Sequence, residues 1–250
     1  MSAPIALYTL GQTPRPDLIP AMAAELNSPD IQIFGVLDGI DPSQVPAARP
    51  GNYPLKTRLS NGVEIESDCG FLQPRLQQLI DAQDSNVLMH IVLSVAPFRS
   101  LHAEGTLLRP FEHGCRVLAS RHIHEICVIV PYRAQVFHAR QKWGDAGFSA
   151  RILCVEEKPE QMAVESWVRS HFSTVRTDGI VIDFVGYAKG LANRLEQELG
   201  IPVIDLGFEA VRFGRTLMQE FQELEKVHGL GEPRRPSLTS WFWASGMGAN

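Results

Sequence analysis

Short apolar runs that do not alternate with polar residues recur along this chain, and each is followed by a stretch that reads as helix. The runs cover about residues 5–10, 31–36, 87–93, 125–130, 150–155, 179–183 and 201–205. A strand that is apolar at consecutive positions is one buried on both faces. Helices are predicted over about 17–26, 70–82, 106–120, 134–146, 160–172, 189–199 and 209–225. Strands alternating with helices imply parallel sheets joined by right-handed crossovers. The second part of the chain repeats the rhythm of the first, so the fold class is α/β with two similar parallel-sheet halves. Asp17 is placed to cap the first helix, Asp41-Pro-Ser opens a short helix, and Gly200 stops the helix before it. Asn61-Gly62, between runs at 55–59 and 63–66, predicts a β-hairpin as an antiparallel addition. The chain divides into one unit over 1–228 and a tail over 229–250. The halves of the unit are about 1–100 plus the last helix, and 101–205.

Composition removes several classes of function. A chain of 250 residues can bury a sizeable core, and its net charge of −5, spread along the sequence, gives nucleic acid no basic face to bind. The longest apolar runs are too short to span a bilayer, and residues 5–10 lack the length and basic lead-in of a secretory signal. A cytoplasmic, reducing compartment is therefore expected, with Cys69, Cys115, Cys127 and Cys154 as free thiols. Cys127 and Cys154 fall inside predicted strands. Cys69 lies near a helix start, without an identifiable histidine partner. The cysteines form no CxxC pair, and His122-Ile-His124-Glu125 offers no third ligand at a recognisable spacing, so no metal is expected. Residues 186–190 match no phosphate-binding fingerprint, and no cofactor is expected. The tail, rich in Gly, Pro and Arg, carries Trp241-Phe-Trp243. It is either disordered or a strap on the body or on a second copy, which makes a homo-oligomer an expectation.

Ligands of open α/β sheets sit beyond the carboxyl ends of the strands. That rule selects four loops, at 11–15, 94–99, 131–133 and 184–187. Arg15, Arg99 and Arg133 fall in three of them, while Gly11 and Gly186 let backbone amides approach an anion. Each arginine alone is explained by solvent or a surface carboxylate. As a set at one end of the sheets they suit a small carboxylate, because guanidinium forks match it with two parallel bonds.

Several segments resemble the AroM family. They are Leu10-Gly-Gln-Thr-Pro-Arg15, Gly35-Val-Leu-Asp-Gly39 and Leu55-Lys-Thr-Arg-Leu-Ser-Asn-Gly62, then Val130-Pro131 followed by Gln141-Lys-Trp143, and Ile182-Asp-Phe-Val-Gly-Tyr187. The likeness runs in order along about residues 5–213. AroM proteins resemble the aspartate/glutamate racemase superfamily, and this implies two pseudo-symmetric α/β halves with an active site between them. The AroM family itself carries no settled activity. The racemases of the superfamily use two cysteines, one after a strand in each half, to move a proton on opposite faces of a carbon. Here the corresponding positions read Ser94 and Phe184, so the resemblance implies that two-thiol racemisation, and single-cysteine decarboxylation at the second position, are lost.

The remaining groups still permit chemistry. Asp183 is a candidate general acid or base, against a role as a cap or loop hydrogen-bonder. Tyr187 is a candidate donor to a substrate oxygen, and Ser94 is a donor rather than a nucleophile, since no nucleophile-elbow pattern surrounds it. Gly11, Gln12, Thr13, Arg15, Asp38, Arg58, Arg99, Arg133 and Gly186 are the candidate substrate-binding residues, although capping alone would explain Asp38. Lys56 and Arg58 precede a hairpin able to cover the cleft. Two functions fit: a cofactor-independent isomerase or lyase acting on a small carboxylate, or a binding protein that kept the cleft and senses an anionic metabolite.

Overall fold

The computed structural model describes residues 5–155, 176–186 and 190–228. The helix expected over 160–172, Tyr187 and the tail lie outside them. The first sheet comprises β1 (Ile5–Thr9), β2 (Ile31–Gly35), β5 (Met89–Val92) and β6 (Thr106–Leu108), in the order β2-β1-β5-β6. The second comprises β7 (Glu125–Val130), β8 (Ser149–Cys154), β9 (Gly179–Ile182) and β10 (Val203–Asp205), in the order β10-β9-β7-β8. All pairings in both sheets are parallel. In its own chain order each sheet is arranged second, first, third, fourth, so the halves are pseudo-symmetric. A separate antiparallel hairpin pairs β3 (Pro54–Arg58) with β4 (Glu64–Asp68), its turn carried by Gly62 at φ +86°.

Burial follows the apolar pattern. Every residue of β1, β5 and β9 is buried, because helices cover both faces, whereas the edge strands β2 and β8 are partly exposed. The helices are α1 (Ile19–Leu26), α2 (Cys69–Gln83), α3 (Pro110–Ser120), α4 (Ala134–Asp145), α5 (Leu191–Leu199) and α6 (Leu206–His228). Pro42–Gln44 forms a single 3₁₀ turn capped by Asp41, and Gly200 ends α5 in the left-handed region, both as expected. Among the described residues no helix is long and apolar enough to cross a membrane.

Two local expectations are corrected. Residues 106–108 form β6, paired with Met89–Ile91, rather than the start of a helix. Helix α3 begins only at Pro110, because proline is tolerated in the first helical turn but not further in. Asp17 does not cap α1, whose N-cap is Leu18 without a side-chain bond; its carboxylate is taken by arginines instead.

The last helix returns to the first sheet. Phe208, Val211, Leu217 and Met218 of α6 pack in one cluster with Ile5, Leu7, Met89 and Ile91. Gly214 permits this approach, since a Cβ there would sit 2.9 Å from Ile91 Cδ1. Asp205 starts the helix by accepting the Gly207 and Phe208 amides, each at 3.1 Å.

Candidate functional site

A cavity of about 370 Å³ lies between the halves, at the carboxyl ends of β1, β5, β7 and β9, with the hairpin as a further wall. Each of the four expected loops reaches it, through Arg15, Ser94, Tyr132 and Phe184. The hairpin adds Lys56, Arg58 and Glu64.

The arginines of the cavity come from the first half. Arg15 grips Asp17 with two parallel bonds, Nε to Oδ1 and Nη2 to Oδ2, both at 2.8 Å. Its Nη1 donates to Thr9 Oγ1 at 3.1 Å, which anchors the guanidinium to the end of β1. Arg58 donates to Asp17 Oδ2 at 3.2 Å and to Glu64 Oε1 at 2.9 Å. The hydrogen bond from Arg15, then the neighbouring charges of Arg15 and Arg58, hold the Asp17 carboxyl below the usual carboxylate range. The bond to Glu64 raises Arg58 further above its ordinary value. Lys56 lies on the same wall, so Arg15, Arg58 and Lys56 share the cavity lining with Asp17, Glu64 and Asp183.

Four expected ligand-facing residues hold the wall together instead of lining the cavity. A Cβ on Gly11 would lie 2.1 Å from the Arg58 carbonyl oxygen, so only glycine lets the loop after β1 meet the hairpin. The Gln12 amide nitrogen donates to the Leu37 and Ile40 carbonyls, and its side-chain oxygen accepts from Ser60. Thr13 donates through its backbone N–H and its hydroxyl to Asp38, which also accepts the Gly35 amide. Gly186, at φ +106°, does line the cavity.

The expected trio of arginines is not assembled. Arg99 pairs with Asp145 at 3.0 Å on the outer surface, both side chains well exposed. The tight turn after β5, with Arg99 N–H donating to the Pro97 carbonyl at 2.9 Å, carries it away from the cavity. Arg133 is exposed at the N-cap of α4, outside the cavity lining. Arg58, contributed by the hairpin, is the partner Arg15 has in the cavity.

Asp183 is fully buried and committed. Its Oδ1 accepts Lys142 Nζ at 2.7 Å and its Oδ2 accepts the Trp143 indole N–H at 3.0 Å. Lys142 Nζ also donates to the Val95 carbonyl at 3.0 Å and to the Tyr53 hydroxyl at 3.5 Å. It lies 4.7 Å from the centre of the Phe111 ring, whose face favours a cation. A buried charge survives only when paired and hydrogen-bonded, and both conditions are met. Sequence reasoning missed Lys142 because a lysine is rarely buried. Its one signal was Gln141-Lys-Trp143, a segment carrying the family likeness.

The other nucleophilic groups are quiet. Ser94 Oγ accepts the Ala96 amide at 3.2 Å, closing its own turn. Burial pushes the thiols of Cys69, Cys115 and Cys127 up to about 12, so none supplies a thiolate.

The sequence model described as AroM protein matches residues 5–213. The chain belongs to the AroM family. No curated protein sequence matches this AroM-family chain. Among solved structures it is similar to allantoin racemase from Klebsiella pneumoniae, at 17% identity over 88% of this chain and 89% of that one, with a TM-score of 0.59. It is also similar to unliganded arylmalonate decarboxylase, at 13% identity over 86% and 92%, TM-score 0.56. A third is the maleate isomerase Iso from Pseudomonas putida S16, at 11% identity over 87% and 93%, TM-score 0.54. At these identities the likeness establishes a racemase-like fold for the AroM chain.

Proposed function

We propose that the cleft binds a small carboxylate and that the protein is a cofactor-independent isomerase or lyase that moves a proton next to that carboxylate. The observation that carries this reading is the two-bond grip of Arg15 on Asp17: the site already holds a carboxylate in the geometry that suits a ligand's. A racemase, a decarboxylase and an isomerase sharing the fold support the class of chemistry by analogy.

The base is Asp17 rather than Asp183, whose two oxygens are occupied by Lys142 and Trp143. A ligand carboxylate entering the Arg15 fork replaces Asp17 there. Asp17 then loses the bonds that keep it a weak base and takes a proton from the carbon beside the ligand's carboxylate. A second reading, binding without turnover, is favoured by Ser94 and Phe184 at the two thiol positions.

A thermal-shift screen of mono- and dicarboxylates, on wild type and Arg15→Ala, tests binding. Stabilisation by an acid class, lost in the variant, is expected; no shift with any acid overturns the proposal. NMR in D₂O then separates the readings. Exchange of the hydrogen beside the carboxylate marks an enzyme, and binding without exchange marks a receptor.

A further inference from the structure

Against the hairpin strand that carries Arg58, the second half presents a group of a different kind. Gln135, at the start of α4, lines the cavity and is only 4% exposed. Its Nε2 donates to the Pro54 carbonyl at 3.0 Å and to the Tyr132 hydroxyl at 3.2 Å, which uses both amide hydrogens. Turning the amide over would set its oxygen against the Pro54 carbonyl, so its orientation is decided. The Oε1 atom is then left buried with no hydrogen-bond partner among the described residues. An orphaned buried acceptor costs free energy, and native structures retain few of them.

Tyr132 has the opposite need. Its oxygen accepts from Gln135 Nε2 at 3.2 Å. What remains is its proton, for which no acceptor is present among the described residues. The Lys56 ammonium lies 4.7 Å from the ring centre. Burial pushes the phenol above its ordinary range, so it stays a donor at any physiological pH.

We infer that the ligand is a carboxylate bearing an amide, with its acid group on Arg15 and Arg58 and its amide edge on Tyr132 and Gln135. An amide offers a carbonyl oxygen to the Tyr132 proton and an N–H to Gln135 Oε1. A second carboxylate offers acceptors only, and one of its oxygens would face Oε1 without a hydrogen between them. An ester satisfies Tyr132 and leaves Gln135 unpaired. This inference rests on the carboxylate reading of the cleft.

Isothermal titration of the full chain with half-amides, diacids and half-methyl esters of malonic, succinic and glutaric acid tests it. At the chain length that fits, the half-amide binds about tenfold tighter than its ester and its diacid. Tyr132→Phe, which keeps the ring under Lys56, and Gln135→Leu each bring that ratio close to one. The phenylalanine variant keeps the test valid should the buried leucine fail to fold. Half-amide, ester and diacid binding alike, or the diacid binding best, overturns the amide assignment while the carboxylate reading stands. No binding by any of the nine compounds, with Arg15→Ala indistinguishable from wild type, overturns both.

Discussion

Asp17 fills the Arg15 fork, and the proposed carboxylate site has a measurable consequence there. In Asp17→Asn the Arg15 fork keeps its geometry but loses a charged internal competitor. Carboxylate affinity is expected to rise about tenfold, read by titration calorimetry, while hydrogen exchange beside the ligand's carboxylate disappears. Weaker binding would mean that Asp17 orients the arginines rather than competing for them. Of the residues singled out from sequence, Arg15 was legible because the carboxyl end of a strand is where an α/β sheet receives ligands. Arg99 had the same credentials and sits elsewhere, because two residues of turn are enough to redirect a side chain. Gln135 was illegible: an uncharged side chain in a helical stretch acquires meaning only when its amide is seen pinned to Pro54.

At the level of elements, the contact between the loop after β1 and the hairpin holds Arg58 beside Arg15. Gly11→Ala would drive a methyl group into the Arg58 carbonyl. We expect a loss of about 1–3 kcal/mol in urea denaturation, with weakened carboxylate binding. The start of α6 carries a pH dependence. Burial raises the Asp205 carboxyl to about 6, from an ordinary value of 3.8. The folded state therefore holds a proton that the unfolded chain has released across that window, and stability falls as pH rises from about 4 to about 6. Asp205→Asn keeps the acceptor for the Gly207 and Phe208 amides and removes the titration. Its stability, followed by denaturation at each pH, is expected to lose that slope, worth up to about 3 kcal/mol. Most of these elements were legible, since periodicity and turn residues act locally. Strand β6 was not: three residues are too few to show a period, and Pro110 was the signal that the helix starts later.

For the whole molecule, the Lys142 ammonium is a buried tie between the halves. It reaches the Val95 carbonyl beyond a strand of the first sheet and Asp183 beyond a strand of the second. Lys142→Met strands the Asp183 charge in the interior, and a loss of about 3–5 kcal/mol is expected from denaturant unfolding. Adding Asp183→Asn to that variant removes the stranded charge and should restore part of the loss. Two costs that simply add would show that the pair is not coupled.

The sequence by itself determined that parallel sheets form and that a hairpin interrupts the first half. These follow from residue identity and short-range pattern. The tertiary structure alone decided which charges meet. Arg58 finds Asp17, and Lys142 finds Asp183, each across 41 residues of chain. Coulomb attraction depends on distance through space and on the surrounding dielectric, and neither is written in the order of residues.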